Sequence, residues 1–273
     1  MILESFDGTK INYRVKRKSE LFLIFVHGWL HNWTAWKKEI EFLEGKGYST
    51  LAFDLRGHGQ SDKPEKKKQY DLECFAKDLH ELIKKEKIKK FVLIGHSMGG
   101  MISLIYYKMF RRGIQGLVLC DTTYRNVLKH KEMEVFSPFI KHVLDFLVSH
   151  ESITQEHFKH LKDIDLTKYS EYGLMHNSLR ATPMKSVFAC LEEMTKYNVK
   201  SILKKINVPV LIMEGEEDRI LPEIDSLEMC KKIKGSKLTL IPGGGHFVNL
   251  QNPRQVDKHI LEFLKKNKLG TRK

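Results

Sequence analysis

The sequence has little cysteine, no long apolar run and a deficit of negative charge. Its four cysteines, Cys74, Cys120, Cys190 and Cys230, form no CxxC pair and stand at no metal-ligand spacing with histidine. That excludes a disulfide framework or a structural zinc as the organising device. It also points to a reducing compartment, so a cytoplasmic location is expected. The longest uninterrupted apolar stretch, Leu21–Val26, is too short to span a bilayer, so no transmembrane segment is expected. No charged n-region followed by an apolar h-region opens the sequence, and no signal peptide is expected. Repeats and low-complexity linkers are absent as well. Lysine and arginine total 47 against 34 acidic residues, a formal charge of +13. The lysines are dispersed, with short clusters at 66–68, 84–90 and 265–273. No zinc-finger, RRM, KH or recognition-helix pattern accompanies them, so the excess reads as solvated helix faces and no nucleic-acid partner is expected.

What is present is a pattern of strands and helices in alternation. Of the 273 residues 41% are hydrophobic, enough for a sizeable core. Residues 2–6 and 11–15 alternate around Asp7-Gly8 and read as a hairpin. Leu21–Val26 (LFLIFV) reads as a strand buried on both faces, as do 50–53 (TLAF), 91–94 (FVLI), 116–120 (GLVLC) and 209–213 (PVLIM). Lys237–Ile241 (KLTLI) reads as a further strand. Helical spacing occupies 32–44, 71–86, 98–111, a stretch after Pro222, and 254–266; in the second, Leu72, Phe75, Leu79, Leu82 and Ile83 share one face. The alternation predicts a mostly parallel sheet with helices on both faces, an α/β class. Between residues 124 and 200 the pattern is helical only. The expected organisation is therefore an α/β core in two parts, 1–122 and 201–273, interrupted by a helical lid at 123–200. Within the lid, 133–147 is strongly apolar. It either lines a pocket or holds the lid to the core.

Four segments carry chemistry. Gly95-His96-Ser97-Met98-Gly99 follows a buried strand and opens a helix, the context of a nucleophile elbow. A sharp strand-to-helix turn lifts the Ser97 hydroxyl above the sheet edge and aims the Met98 N–H at the same space, at a helix N-terminus where negative charge is favoured. His27-Gly28-Trp29-Leu30 follows the strand Leu21–Val26 and opens a loop able to deliver the Trp29 N–H. Trp29 and Met98 are thus the candidate backbone donors for an oxyanion, while His27 is expected to tie the loop down. MEGEEDRILP places Glu214, Glu216, Glu217 and Asp218 after the strand at 209–213. Asp218 is the expected acid, from its place before an apolar pair and Pro222, and the three glutamates read as solvated. His246 follows the last strand and the glycine run at 243–245, which lets a loop bend back over the sheet.

The nucleophile–acid–base order Ser97, Asp218, His246 is that of α/β-hydrolases. With GHSMGG, HGW, DLRGHGQSDKP (54–64), GEEDRILP and GGGHFVNLQNP, the chain resembles that superfamily over nearly its whole length. More narrowly it resembles the lid-bearing serine esterases, lactonases and haloperoxidase-like members. By that resemblance, Asp54, Arg56 and His58 shape a loop beside the site and do no chemistry. Ser97 stands where haloalkane dehalogenases and epoxide hydrolases attack through a carboxylate, so that likeness ends at the fold. Some members place the acid after the strand that follows the elbow helix, the position of Asp121 here. Asp218 is preferred on motif context and chain order, with Asp121 otherwise a hinge or capping residue.

The resemblance implies ester hydrolysis through an acyl-enzyme on Ser97, with a small-molecule acyl substrate and neither metal nor organic cofactor. The same three residues serve lactone, thioester or C–C bond hydrolysis and perhydrolysis, and a ligand-sensing non-enzyme on this scaffold is a further possibility.

Overall fold

A computed structural model of the chain describes residues 1–126, 182–221 and 223–270. Their frame is one eight-stranded sheet: β1 (Ile2–Glu4), β2 (Lys10–Lys16), β3 (Leu21–Val26), β4 (Ser49–Phe53), β5 (Lys90–His96), β6 (Ile114–Cys120), β7 (Val210–Gly215) and β8 (Lys237–Ile241). Across the sheet the order is β1-β2-β4-β3-β5-β6-β7-β8. The first two strands form the expected hairpin, and β2 pairs antiparallel to β4. From β4 to β8 every pairing is parallel.

The central strands are apolar on both faces because both faces are covered. Phe22, Ile24 and Val26 of β3 enter one core with Phe91 and Leu93 of β5, Leu117 and Leu119 of β6, and the helices α2 (Leu72–Lys85) and α3 (Met98–Phe110). Leu21, Leu23 and Phe25 enter the other, with Val92, Ile94, Val118, Leu211 and Met213. There Trp36, α1 (Lys37–Gly45) and α8 (Pro253–Lys266) close the second face. The period of two along each strand sorts side chains alternately into the two cores. Complete burial of one such side chain stabilises by roughly 1.5–3 kcal/mol.

The remaining helices are α4 (Met184–Lys196), α5 (Lys200–Leu203), α6 (Glu223–Lys232) and the short α7 (Val248–Gln251). The segment expected as one helix over 32–44 is split. A 3₁₀ turn at Trp33–Trp36, capped by the Asn32 side chain on the Thr34 N–H at 2.9 Å, precedes α1. β7 runs past the expected end at 213 to Gly215, with consequences for Glu214 described below. Of the lid expected at 123–200, residues 127–181 lie outside the described residues, and with them the apolar stretch at 133–147. Among the described residues no helix is long and apolar enough to cross a membrane.

One buried ion network fastens the hairpin to the core. The Arg56 side chain is wholly buried; its Nε donates to Asp78 Oδ2 at 2.6 Å, and its Nη1 donates to Asp7 Oδ2 at 2.9 Å and to the Gln69 carbonyl at 2.8 Å. Three segments meet there: the β1–β2 turn, the loop after β4, and α2. Removing one acid leaves a buried guanidinium partly uncompensated. Asp78→Ala is expected to lower the unfolding free energy by about 3–5 kcal/mol, read from urea denaturation by circular dichroism. A loss below about 1 kcal/mol would show that the pair contributes as little as an exposed one.

Candidate active site

Ser97 sits between β5 and α3 with φ 51 and ψ −120. A non-glycine residue reaches positive φ only when its surroundings enforce it, at a cost of about 1–3 kcal/mol. Here they do. The Ser97 N–H donates to the Cys120 carbonyl at 2.9 Å, and the Ser97 carbonyl accepts from Gly100 N at 2.9 Å and from the Thr122 hydroxyl at 2.7 Å. The two flanking glycines are needed for closeness. A Cβ on Gly95 would strike the Gly99 carbonyl, and one on Gly99 would strike the carbonyl oxygens of Val26 and His27. The sequence pattern and this packing agree on why those positions lack side chains.

Two loops converge on that hydroxyl. The loop after β8 carries His246, whose Nε2 lies 3.0 Å from Ser97 Oγ. The loop after β7 carries Asp218, whose Oδ2 lies 2.9 Å from His246 Nδ1. The other oxygen, Asp218 Oδ1, accepts the Ile220 and Leu221 N–H groups at 2.7 and 3.0 Å, which fixes the carboxylate plane. An ionised carboxylate only accepts, so the imidazole proton belongs on Nδ1. Nε2 is then free to accept from the serine. The loops are stitched to each other by Glu217 N to the Gly244 carbonyl at 2.8 Å. His96, next to the serine, donates from Nε2 to the His246 carbonyl at 2.7 Å.

The other carboxylates near this point are placed differently. Asp121 is fully buried and makes no hydrogen bond to His246; its oxygens take the backbone N–H groups of Gly215 and Val248. Glu216 and Glu217 are exposed, as expected. Glu214 is not. Only 1% exposed, it hydrogen-bonds Ser226 on α6. The expectation of a solvated Glu214 fails because β7 continues through it, so its side chain takes an inward place in the strand alternation. Burial, and then the neighbouring Asp218 carboxylate, push the Glu214 and Asp121 carboxyls well above the ordinary range.

On the opposite side of Ser97 stands the loop after β3. The fully buried His27 fixes it. Its Nε2 accepts the Leu55 N–H at 2.9 Å, so its proton is on Nδ1, which donates to the Gly28 carbonyl at 2.7 Å. That same carbonyl accepts His31 N at 3.3 Å. All peptide bonds described are trans, so pinning the Gly28 oxygen turns the Trp29 N–H the opposite way. Met98 opens α3, and its N–H has no acceptor within the helix. Asp54 braces the same loop, accepting Trp33 N at 2.9 Å and Gln60 N at 2.8 Å. Among the described residues no group of three or more His, Cys, Asp and Glu is placed to hold a metal ion. Sequence reasoning did not assign His96 or His31 a role. Their rings pack against Phe247 and His246, His31 edge-on to Phe247 and His96 tilted against His246, with centroids 5.2 Å apart in each pair.

Comparison with known proteins places this geometry in context. A family model described as alpha/beta hydrolase fold matches residues 22–253. A protein of Synechocystis sp. named putative non-heme chloroperoxidase is 30% identical, covering 89% of this chain and 90% of its own. Epoxide hydrolase 3 of Xenopus tropicalis is 24% identical over 92% of this chain and 73% of its own. Among solved structures, an esterase from Exiguobacterium antarcticum superposes with a TM-score of 0.77 at 25% identity, covering 97% of this chain and 99% of that one.

Burial pushes the pKa values of His27, His31, His58 and His96 down. The His58 pKa is lowered to about 4, by burial first and by Lys63 in smaller part. In the unfolded chain it returns to about 6.5. The unfolded state therefore binds the extra proton at pH 5, and this contribution to stability, complete above about pH 6.5, is lost as pH falls toward 4. His58→Gln can still donate to the Arg56 carbonyl. The stability of the unaltered protein relative to this variant is expected to fall by about 1.4 kcal/mol per pH unit below 6.5. Denaturation curves at pH 7, 6 and 5 measure it, and a difference independent of pH refutes the assignment.

Proposed function

The chain belongs to the alpha/beta hydrolase fold family, and from that premise we propose that it is a serine hydrolase acting on a small to medium, uncharged carboxylic ester through an acyl-enzyme on Ser97. The observation that carries this reading is the continuous hydrogen-bonded line from Ser97 Oγ through His246 to Asp218, at 3.0 and 2.9 Å. Its parts differ in ways the chemistry requires. The hydroxyl is at a strained, partly exposed turn; the imidazole is nearly buried; the carboxylate is held by two backbone N–H groups.

In the first half-reaction His246 Nε2 takes the Ser97 proton while Oγ attacks the ester carbonyl. The carbonyl oxygen becomes an oxyanion between the Met98 and Trp29 N–H groups. Asp218 stabilises the imidazolium without itself taking the proton. The tetrahedral intermediate collapses, the ester C–O bond breaks, and the alcohol leaves with the proton from Nε2. Water then enters, gives a proton to Nε2, and attacks the acyl carbonyl. The acid departs and Ser97 Oγ recovers its proton. The chain supplies positioning, a general base and fixed dipoles. The unpaired cysteines accord with a cytoplasmic setting.

The Synechocystis relative's name supports a second use of the same acyl-enzyme, in which a peroxide replaces water as acceptor and the product is a peracid.

Ser97→Ala is expected to abolish p-nitrophenyl ester hydrolysis with the circular dichroism spectrum unchanged. Near-normal turnover in that variant would end the reading. Asp218→Asn forces the wrong imidazole tautomer and is expected to lower kcat by on the order of 10⁴, well beyond the loss from Asp121→Asn. The reverse ranking, in steady-state assays on folded protein, would move the acid to Asp121.

A further inference from the structure

Asp121 is buried, charged or proton-bearing, and unused by the steps above. Its contacts nonetheless reach main chain near both Asp218 and His246. Its backbone is the continuation of β6, and Asp121 takes φ 43, a conformation that turns the chain sharply at the strand end. Its N–H donates to the Met213 carbonyl of β7 at 2.9 Å. Oδ1 accepts Gly215 N at 2.9 Å, and Oδ2 accepts Val248 N at 3.2 Å. Gly215 in turn accepts the Asp218 N–H at 3.0 Å, and Val248 is two residues beyond His246. Asp121 Oδ2 also lies 3.9 Å from Nε2 of His96, the ring that donates to the His246 carbonyl. The residues on either side of Asp121 hold the elbow: the Cys120 carbonyl accepts Ser97 N, and the Thr122 hydroxyl donates to the Ser97 carbonyl.

We propose that Asp121 is the positioning residue of the site, its two carboxylate oxygens setting the spacing between the loop that carries Asp218 and the loop that carries His246. The proposal rests on the serine-hydrolase reading. One two-oxygen acceptor ties the end of β7, three residues before Asp218, to the start of α7, two residues after His246, beside the Glu216–Ile241 and Glu217–Gly244 backbone hydrogen bonds. Both bridged groups are backbone N–H donors, so the carboxylate fixes main chain and not a side chain that can swing away. Both lie within three residues of a reacting or orienting group. Displacing such a group by about 1 Å can cost on the order of 10²-fold in rate. Asp121 acts only through those groups. Its loss is therefore felt in the chemical step, and substrate affinity is untouched.

Asp121→Asn and Asp121→Ala separate the bridge from the fold. Asparagine keeps the shape and one accepting oxygen but turns an NH₂ toward the second N–H; alanine accepts from neither. With a p-nitrophenyl ester the expected result is a graded fall in kcat, about 10-fold for Asn and about 100-fold for Ala, with KM within about 2-fold. Labelling of Ser97 by a fluorophosphonate, followed by mass spectrometry on protein shown folded by near-ultraviolet circular dichroism, should slow in the same order. If the alanine variant does not fold, the asparagine variant alone decides. Unchanged kcat and labelling rate in a folded variant overturn the proposal and leave the hydrolase reading standing, as does a loss of kcat that merely tracks the folded fraction. Failure of the probe to label Ser97 in the unaltered protein overturns the hydrolase reading, and the proposal with it.

Discussion

The turn at Ser97 is the constraint on which the arrangement depends. Its positive φ is intrinsically unfavourable, and it persists because main-chain groups of the neighbouring strand and of the helix that follows bind it from both sides. The elbow therefore needs β3 and β6 on either flank of β5, two positions without side chains, and a helix that departs immediately. The parallel sheet supplies all of these at one edge. Loops leaving β3, β6, β7 and β8 emerge on that same edge, which is why residues as far apart in the chain as Ser97, Asp218 and His246 form one hydrogen-bonded line.

Around this strained point the protein buries polar groups in quantity. His27, Asp54, Arg56, His58, His96, Asp121 and Glu214 are all nearly inaccessible. Burial alone would make each a liability. Most of these groups spend their hydrogen bonds on backbone N–H or carbonyl groups of loops, so each one converts a flexible connection into a fixed one. The apolar cores above and below the sheet provide the bulk of the driving force. The polar layer at the carboxyl edge decides which single geometry the loops adopt.

How far this could be read from residues alone depends on the range of the forces involved. The two-faced apolar strands were legible because a short continuous apolar run is a local feature, and Leu21–Val26 is recovered residue for residue. The elbow was legible because glycine at 95 and 99 reports a close approach that no other residue permits. Glu214 was misread because a charged residue at a strand end looks solvated until its partner, Ser226 on a separate helix, is in place. The contacts of Asp121 were out of reach for a different reason. Its partners are N–H groups 94 and 127 residues away, and every residue but proline has one, so side-chain identity gives no signal. The split of 32–44 into a 3₁₀ turn and a helix was likewise invisible, because both have apolar residues at similar spacing.

The lock on His27 has a consequence for how the edge of the sheet behaves over time. Because Leu55 occupies Nε2 and Gly28 occupies Nδ1, the ring can neither flip nor take up a second proton without losing a bond. The peptide between Gly28 and Trp29 is thus oriented when the chain folds, and the direction of its dipole is set with it. Turning that peptide over requires breaking the His27–Gly28 hydrogen bond first. One imidazole thereby removes a torsional freedom from this end of the sheet that the loop sequence alone would leave open.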